Sequence, residues 1–241
     1  MTAFQTKASA LAPAILLTVD EVLEFRRANS AARSVLPKEE KLRADVQQFC
    51  LLLQQLETVR DKDPMVISDM GEYGLYLLQK LSDVVDQMGL LHTRLRIDRH
   101  ILSFTLWTCV QGGAVRELEP VVNAFAAEAN RSRSRGELEN LCAAMRRTVQ
   151  CVDRAVIERQ EGGAAAPWRL LNLNMGIVAT RTHNTELMRT AYDELIRNLP
   201  DEAASFFSEG LQQMGLVDYP EHVRDVVEHY YNRFSKARTL H

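Results

Sequence analysis

The stretch GIVATRTHNTELMRTAYDELIRNLPDEAASFFSEG, residues 176–210, decides how we expect this chain to fold. It begins with Gly176 and ends with Gly210, and Pro200 stands ten residues before the second glycine. Inside a helix, glycine costs about 1 kcal/mol relative to alanine. Glycines kept there indicate that another helix approaches closely, so we predict a close helix crossing at both positions. The stretch therefore predicts two helices joined by a turn at THN, residues 182–184, and a third helix that begins at Pro200.

Similar helical segments, separated by short breaks, continue on both sides of this stretch. The breaks are rich in glycine, proline and small polar residues, which favour turns. They read QGG at 111–113, NRSRSRG at 130–136, EGGAAAP at 161–167 and DYP at 218–220. Alternating runs of β-branched residues, which are typical of strands, are missing. The predicted fold class is all-α, with helical hairpins stacked as an array; an irregular helical bundle is the alternative.

The N-terminal part has longer helical segments and fewer breaks. Thr18 with Glu21, and Asp69 with Glu72, have the spacing of capping boxes, which predicts that a helix begins at each pair. We therefore predict an N-terminal helical segment over residues 1–95 and a hairpin array over residues 96–241.

Composition excludes several classes of function. The net charge of −3 lacks the basic surplus that electrostatic binding to nucleic acid requires. No stretch of 18 apolar residues is present, so we expect no contact with a membrane. No phosphate-binding loop or HExxH motif occurs, so we predict no cofactor and no catalysis. The four cysteines form no CxxC pair and are expected to be free, mostly buried thiols, which favours a cytoplasmic protein.

The interval between the two glycines, 34 positions, resembles the tetratricopeptide repeat, a helical hairpin of about 34 residues. With Gly176 at the small position of the first helix, the family's second-helix aromatic falls on Tyr192 and its boundary proline on Pro200. In the next unit Gly210 takes the small position and Phe206 the bulky one.

Steps of 34 residues toward the N-terminus extend this register, and the resemblance covers about residues 98–236. The earlier units place small residues at Cys142 and Thr108 and large ones at Leu138 and Phe104. The second-helix small position departs from the family pattern, because it falls on Met188 and His222, and Asn172 takes a bulky position. The resemblance implies a non-catalytic scaffold in which the first helices of the hairpins line a groove for a protein or peptide.

The segment WRLLNLNMGIVATR, residues 168–181, supplies the candidate binding residues. Asn172 and Asn174 lie among apolar residues, although asparagine is a poor residue for a helix interior. We predict that one or both line the groove and bond a peptide backbone, and that Arg169 and Arg181, at the helix ends, favour an acidic partner. The alternative is that the asparagines bridge neighbouring turns of their own structure.

Two further sequence patterns, a polar stripe and a contrast of charge, each allow more than one interpretation. His222, Asp225 and His229 share one face of the last predicted helix, a spacing that suits a transition metal, so a metal-binding protein or enzyme is the alternative function. The more common explanation of such a stripe is a polar outer face. The basic RSRSR segment at 131–135 contrasts with the acidic region 184–234, which favours a turn or a charge-complementary surface, including one for homo-oligomer formation.

Overall fold

The structure is a computed structural model that describes residues 4–29, 36–159 and 166–238. Within these ranges the chain forms eleven helices and no strand, so the all-α prediction is confirmed. None of these helices combines the length and the apolar character that crossing a membrane requires. The helices are α1 (Ala8–Asn29), α2 (Leu36–Thr58), α3 (Pro64–Gln87), α4 (Leu91–Val110), α5 (Glu119–Arg131), α6 (Arg135–Val149), α7 (Arg154–Arg159), α8 (Pro167–Thr182), α9 (Thr185–Asn198), α10 (Ala203–Leu216) and α11 (Glu221–Arg238).

The helices group into two compact units. Of the described residues, the N-terminal unit comprises 4–29, 36–130 and 150–159, and the C-terminal unit comprises 131–149 and 166–238. The domain boundary predicted at residue 95 lies inside α4, which packs along α1 and α3.

The first helix begins at Ala8, well before the predicted capping box, so the prediction of a helix start at Thr18 and Glu21 is wrong. Thr18 is buried in the middle of α1, where its hydroxyl donates to the carbonyl oxygen of Ala14 at 3.0 Å. The same hydroxyl lies 2.9 Å from Nε2 of His100 on α4. The spacing of Thr18 suits a helix start, but its hydroxyl finds hydrogen-bond partners in its own helix and on α4 instead.

The start of α3 also differs from the prediction at Asp69 and Glu72, which lie inside the helix. Asp63 is the N-cap, and its carboxylate accepts a hydrogen bond from the backbone N–H of Met65 at 2.8 Å. Pro64 occupies the first helical position, where its fixed φ suits the helix and its missing N–H removes no helical bond.

In the N-terminal unit, α1 to α4 pack as a ring, with α1 and α3 each contacting both α2 and α4. Gly74 on α3 makes room for the ring of Phe104 on α4. A Cβ atom at Gly74 would lie 2.5 Å from Cζ of Phe104 and 2.6 Å from Cζ of Phe49 on α2. Phe104 is fully buried, meets Phe49 edge-on and stacks on Trp107, with ring centroids 5.4 Å apart in both pairs. Three helices thus close around one phenylalanine.

The C-terminal unit contains two helical hairpins, α8 with α9 and α10 with α11, and α6 packs against α8. The break predicted at residues 182–184 is the turn of the first hairpin. His183 has φ 55°, a left-handed conformation that ends α8. Asn184 caps α9, because its side-chain oxygen accepts from the backbone N–H groups of Glu186 and Leu187 at 3.1 and 3.2 Å.

The basic RSRSR segment forms the turn before α6. The Glu137 carboxylate accepts hydrogen bonds from the backbone N–H groups of Arg133 and Ser134, which lower the pKa of Glu137. In return, the N–H of Glu137 donates to the Ser134 hydroxyl at 3.3 Å, as in a capping box. Local capping therefore explains Ser134 and the backbone N–H of Arg133 in this segment.

All four cysteines are free thiols, as the sequence predicted. Cys50, Cys109 and Cys142 are buried, and Cys151 is partly exposed. Burial raises the pKa of the Cys142 thiol to about 11, so the buried thiol stays protonated near neutral pH.

Candidate functional site

Asn172 lies inside the C-terminal unit and does not face a groove. Its side chain is 0% exposed, its amide donates to the carbonyl oxygen of Trp168 at 2.9 Å, and its oxygen accepts from the amide of Asn198 at 2.7 Å. The first bond lies within the opening turns of α8, and the second joins α8 to the last turn of α9. Asn172 therefore bridges structure, which was the alternative that the sequence left open.

Asn174 lies on a different face of α8 from Asn172, because two helical positions are separated by about 200° around the axis. It is half-buried. The two asparagines therefore cannot act as a pair, and the placement of Asn174 at a groove stays a prediction.

Arg169 is held by an acidic partner within its own unit. Its Nε and Nη2 atoms donate to the two carboxylate oxygens of Glu202 at 2.6 and 2.8 Å. Hydrogen bonding by Arg169 lowers the pKa of Glu202, so the pair is ionised near neutral pH. This bidentate pair connects the start of α8 to the start of α10, and it occupies the guanidinium that the sequence assigned to an acidic ligand.

Arg181 is the predicted site residue that borders an open space. It lies near the end of α8, and its Nη2 atom donates to the carbonyl oxygen of Ser132 at 3.5 Å. Beside it is a cavity of about 310 Å³ within the C-terminal unit. The cavity is lined by Ile177, Thr180, Arg181, Tyr192, Phe206, Glu209, Gly210, Gln213, Met214, Val217, Tyr219 and Val227.

The two glycines of the sequence stretch shape this cavity in different ways. Gly176 leaves no room for a side chain, as predicted, because a Cβ atom there would lie 2.6 Å from Cζ of Phe206 and 3.2 Å from Cδ1 of Leu195. Gly210 does leave room, since its nearest neighbour, Cγ1 of Val227, would be 3.5 Å from an added Cβ, an ordinary van der Waals contact. The missing side chain at Gly210 therefore leaves open space in the cavity wall, and the prediction of a close crossing there is wrong.

Tyr192 forms a rigid part of the cavity wall. Its ring contacts Phe206, Phe207 and Tyr230 edge-on, with centroids 5.0 to 5.9 Å apart. Its hydroxyl is 2.6 Å from the Thr180 hydroxyl, which itself donates to a backbone carbonyl, so Tyr192 is the donor of the pair. Burial raises the pKa of Tyr192 well above its ordinary value. The polar atoms of this wall thus satisfy one another, and the wall presents aromatic carbon to the cavity.

Apolar and charged side chains surround the cavity mouth. Ile177 and Val217 are 49% and 54% exposed, and the neighbouring Leu216 is 81% exposed. Glu209 and Gln213, one turn apart on α10, are exposed beside them. Exposed apolar side chains grouped around an apolar cavity are typical of a binding surface.

The polar stripe on α11 is an outer face. His222, Asp225 and His229 are all exposed, and Nε2 of His222 lies 3.3 Å from the carbonyl oxygen of His183. Among the residues described, no three histidine, cysteine or acidic side chains are grouped so that they could hold a metal ion. The metal-binding alternative remains a prediction from spacing alone.

Sequence reasoning placed Tyr192 and Phe206 at repeat positions but missed the cavity between them. One available signal was Gly210, which lies one helical turn after Phe206 and removes a side chain from the same face. Val217 and Tyr219, in the α10–α11 connection, carry no comparable signal, because only the return of the chain onto α8 and α9 brings them to the cavity.

Comparison of the chain with protein-family models, with curated proteins and with solved structures finds no match.

Proposed function

We propose that the C-terminal unit is a non-catalytic protein-binding module that holds a segment of its partner in the cavity between α8 and α10. The observation that carries this proposal is the apolar cavity of about 310 Å³ with Ile177, Leu216 and Val217 exposed around it. Such walls offer few hydrogen bonds to water. An apolar side chain that enters the cavity is removed from water, which favours binding.

The proposal moves the binding residues away from the asparagines. Asn172 and Arg169 are engaged within the unit, so their polar groups hold α8 in place. Arg181 remains a binding candidate, now together with Glu209 and Gln213 at the mouth.

We further propose that α8 to α11 are two tetratricopeptide-like hairpins. The contact between Gly176 and Phe206 supports this, because it joins the first helix of one hairpin to the first helix of the next. Stacked repeats need such a close contact between successive units.

The chemistry of the walls supports binding rather than catalysis. The Tyr192 and Thr180 hydroxyls bond one another, and the raised pKa of Tyr192 keeps its phenol protonated near neutral pH. The four free cysteines support a reducing compartment such as the cytosol, because proteins of oxidising compartments usually have their cysteines paired in disulfides.

Affinity capture from the native host tests this function with the full chain as bait. Gly210→Leu fills the cavity, and Gly215→Leu adds the same side chain to the same helix at a position with nothing within 4 Å. We expect a protein that is captured by the wild type and by Gly215→Leu and is lost with Gly210→Leu. A captured set that is identical for all three baits contradicts the proposal.

A second copy of this chain is the other candidate partner. The contrast in charge between RSRSR and the acidic region after residue 184 motivates it. Light scattering over a range of concentrations measures it directly. A multimeric mass that becomes monomeric with Gly210→Leu and not with Gly215→Leu assigns the cavity to a second copy of this chain.

A further inference from the structure

We propose that the cavity receives an aromatic side chain that donates a hydrogen bond, as tryptophan does through its indole N–H. This inference rests on the proposed binding function and adds the chemistry of the group that enters the cavity. The lining contains side chains of opposite charge, Arg181 and Glu209, so charge does not select the ligand. The selection comes from the rings and hydroxyl groups of the cavity wall.

The size and the rings of the wall favour an aromatic ligand. About 310 Å³ is the volume of roughly ten water molecules in the liquid, which suits one large side chain rather than a helix. The rings of Tyr192, Phe206 and Tyr219 line the cavity, and Met214 adds a thioether. Edge-to-face contacts between rings, and contacts between sulfur and a ring edge, favour an aromatic side chain over an aliphatic one of similar size.

The two bonded hydroxyl groups of the wall have no proton left to donate. Oγ1 of Thr180 donates to the carbonyl oxygen of Gly176 at 2.8 Å, and the hydroxyl of Tyr192 donates to Oγ1 of Thr180 at 2.6 Å. A hydroxyl oxygen can also accept through its lone pairs, and Oη of Tyr192 accepts no hydrogen bond within the described part of the chain. The wall therefore offers an acceptor to the cavity.

This acceptor matches a donor and no other polar group. Tyr192 lines the cavity and is 1% exposed, so a donor reaches its oxygen from the cavity. A carbonyl or carboxylate there would face lone pairs, and a phenylalanine or leucine would leave the oxygen without a partner. The indole N–H is a donor only, and a buried indole usually finds an acceptor. Tryptophan thus combines the required ring with the required proton.

The test is binding of single-residue probes to the full chain, measured by NMR titration. The probes are N-acetyl-tryptophanamide, its N-methylindole derivative, which lacks the N–H, and N-acetyl-phenylalaninamide. We expect the tryptophan probe to bind at millimolar concentration and the other two about five-fold more weakly, the effect of one hydrogen bond. Binding should be lost with Gly210→Leu, which fills the cavity, and kept with Gly215→Leu, which has nothing within 4 Å.

A double variant tests whether the hydroxyl pair supplies the acceptor. Tyr192→Phe with Thr180→Val removes both hydroxyls, and replacing both partners of a hydrogen bond by apolar groups of the same shape is nearly neutral for stability. The tryptophan probe and its N-methylindole derivative should bind this variant within about two-fold of each other. Tyr230→Phe is the matched control and should keep the difference, because its hydroxyl bonds Asp193 instead.

The outcomes separate this inference from the proposed function. Probes that need the cavity but bind equally well with and without the N–H overturn the inference and leave the binding function standing. A tryptophan advantage that persists in the double variant does the same, since it would arise from shape. If the double variant fails to fold, Tyr192→Phe alone takes its place with the same expectation.

No measurable binding of the tryptophan probe at millimolar concentration, or binding unaffected by Gly210→Leu, also overturns the inference. In both cases the capture experiment decides the binding function independently, because it uses the partner itself rather than a probe.

Discussion

Each unit contains a glycine that makes room for a phenylalanine of another helix, and the two phenylalanines differ in how completely their surroundings enclose them. In the N-terminal unit, Gly74 receives Phe104, which Phe49 and Trp107 enclose on its other sides. In the C-terminal unit, Gly176 receives Phe206, whose ring remains half-buried beside the cavity.

The difference shows that a glycine determines how closely two helices approach but not whether the core is closed. At Gly74, rings from two helices fill the space where a side chain would be, so the core is sealed. At Gly176, the three atoms nearest to an added Cβ belong to one ring and one leucine methyl group. One turn after Phe206, α10 has Gly210, which has no side chain to fill the adjoining space. A closed core stabilises the fold, and an unfilled one is available for binding.

The chain has two tryptophans, and one lies in each unit, so the units can be followed separately. Trp107 is fully buried in the N-terminal unit, and Trp168 is buried in the C-terminal unit. In a Trp168→Phe background fluorescence reports the N-terminal unit, and in a Trp107→Phe background it reports the C-terminal unit.

The largest expected effect is that of Gly74→Leu, which would force apart rings that are fully enclosed. We expect the free energy of unfolding to fall by about 3 kcal/mol or more, at the upper end of overpacking costs. Denaturant unfolding followed by Trp107 fluorescence measures it, with Gln87→Leu as control because Gln87 is exposed in the last turn of the same helix. Equal midpoints for the two variants would show that the N-terminal core can expand.

The second prediction concerns the stability of the N-terminal unit at acidic pH. Burial, and secondly the nearby charge of Arg96, lower the pKa of His100 to about 4 from an ordinary 6.5. Between these pH values the unfolded chain binds more protons than the folded chain, so stability is complete above pH 6.5 and falls as the pH decreases toward 4. We expect a loss of about 2 kcal/mol between pH 7.5 and pH 5.

Urea unfolding at both pH values, followed by Trp107, measures this loss. The limit of pH 5 avoids the titration of the paired carboxylates, whose pKa values lie below the ordinary 4.5. His100→Gln keeps a donor for Thr18 and removes the titration, so its stability should change little over the same interval. An equal pH dependence in the variant would assign the effect to other groups.

The third prediction tests the structural role of Asn172 in the C-terminal unit. Asn172→Ala removes one buried and one partly buried hydrogen bond and should lower the free energy of unfolding by about 1.5 kcal/mol. Asn174→Ala, at a half-buried position one face away, should stay within about 0.5 kcal/mol of the wild type. Thermal unfolding followed by Trp168 distinguishes them, and equal effects would contradict the bridging role.

The smallest effect is expected for Gly176→Leu, the counterpart of Gly74→Leu. The neighbouring Phe206 ring borders the cavity and can move into it, so we expect a loss of about 1 kcal/mol, at the lower end of overpacking costs. Denaturant unfolding followed by Trp168 measures it. A loss as large as that for Gly74→Leu would mean that the cavity wall is as rigid as the N-terminal core, and the comparison between the units would fail.

Much of the local architecture follows from the sequence alone. The all-α class and the turn at His183 and Asn184 were predicted correctly, because helix propensity and turn residues act within a few positions of the chain. These are effects that neighbours in sequence determine. The lack of room at Gly176 was also predicted, but the same argument failed at Gly210, because the neighbours of such a glycine come from other helices.

Only the tertiary structure decided what surrounds these local elements. The spacing of Thr18 and Glu21 suited a capping box, but His100, brought from α4, accommodates Thr18 inside a longer helix. Asn172 and Gly210 show the same limit. Asn198 donates a hydrogen bond to the side-chain oxygen of Asn172, and the nearest neighbour of Gly210, Val227, leaves room for a side chain there. Hydrogen-bond partners and packing neighbours come from helices distant in sequence, so the residue types and their spacing do not specify whether a polar group is satisfied or a cavity is filled.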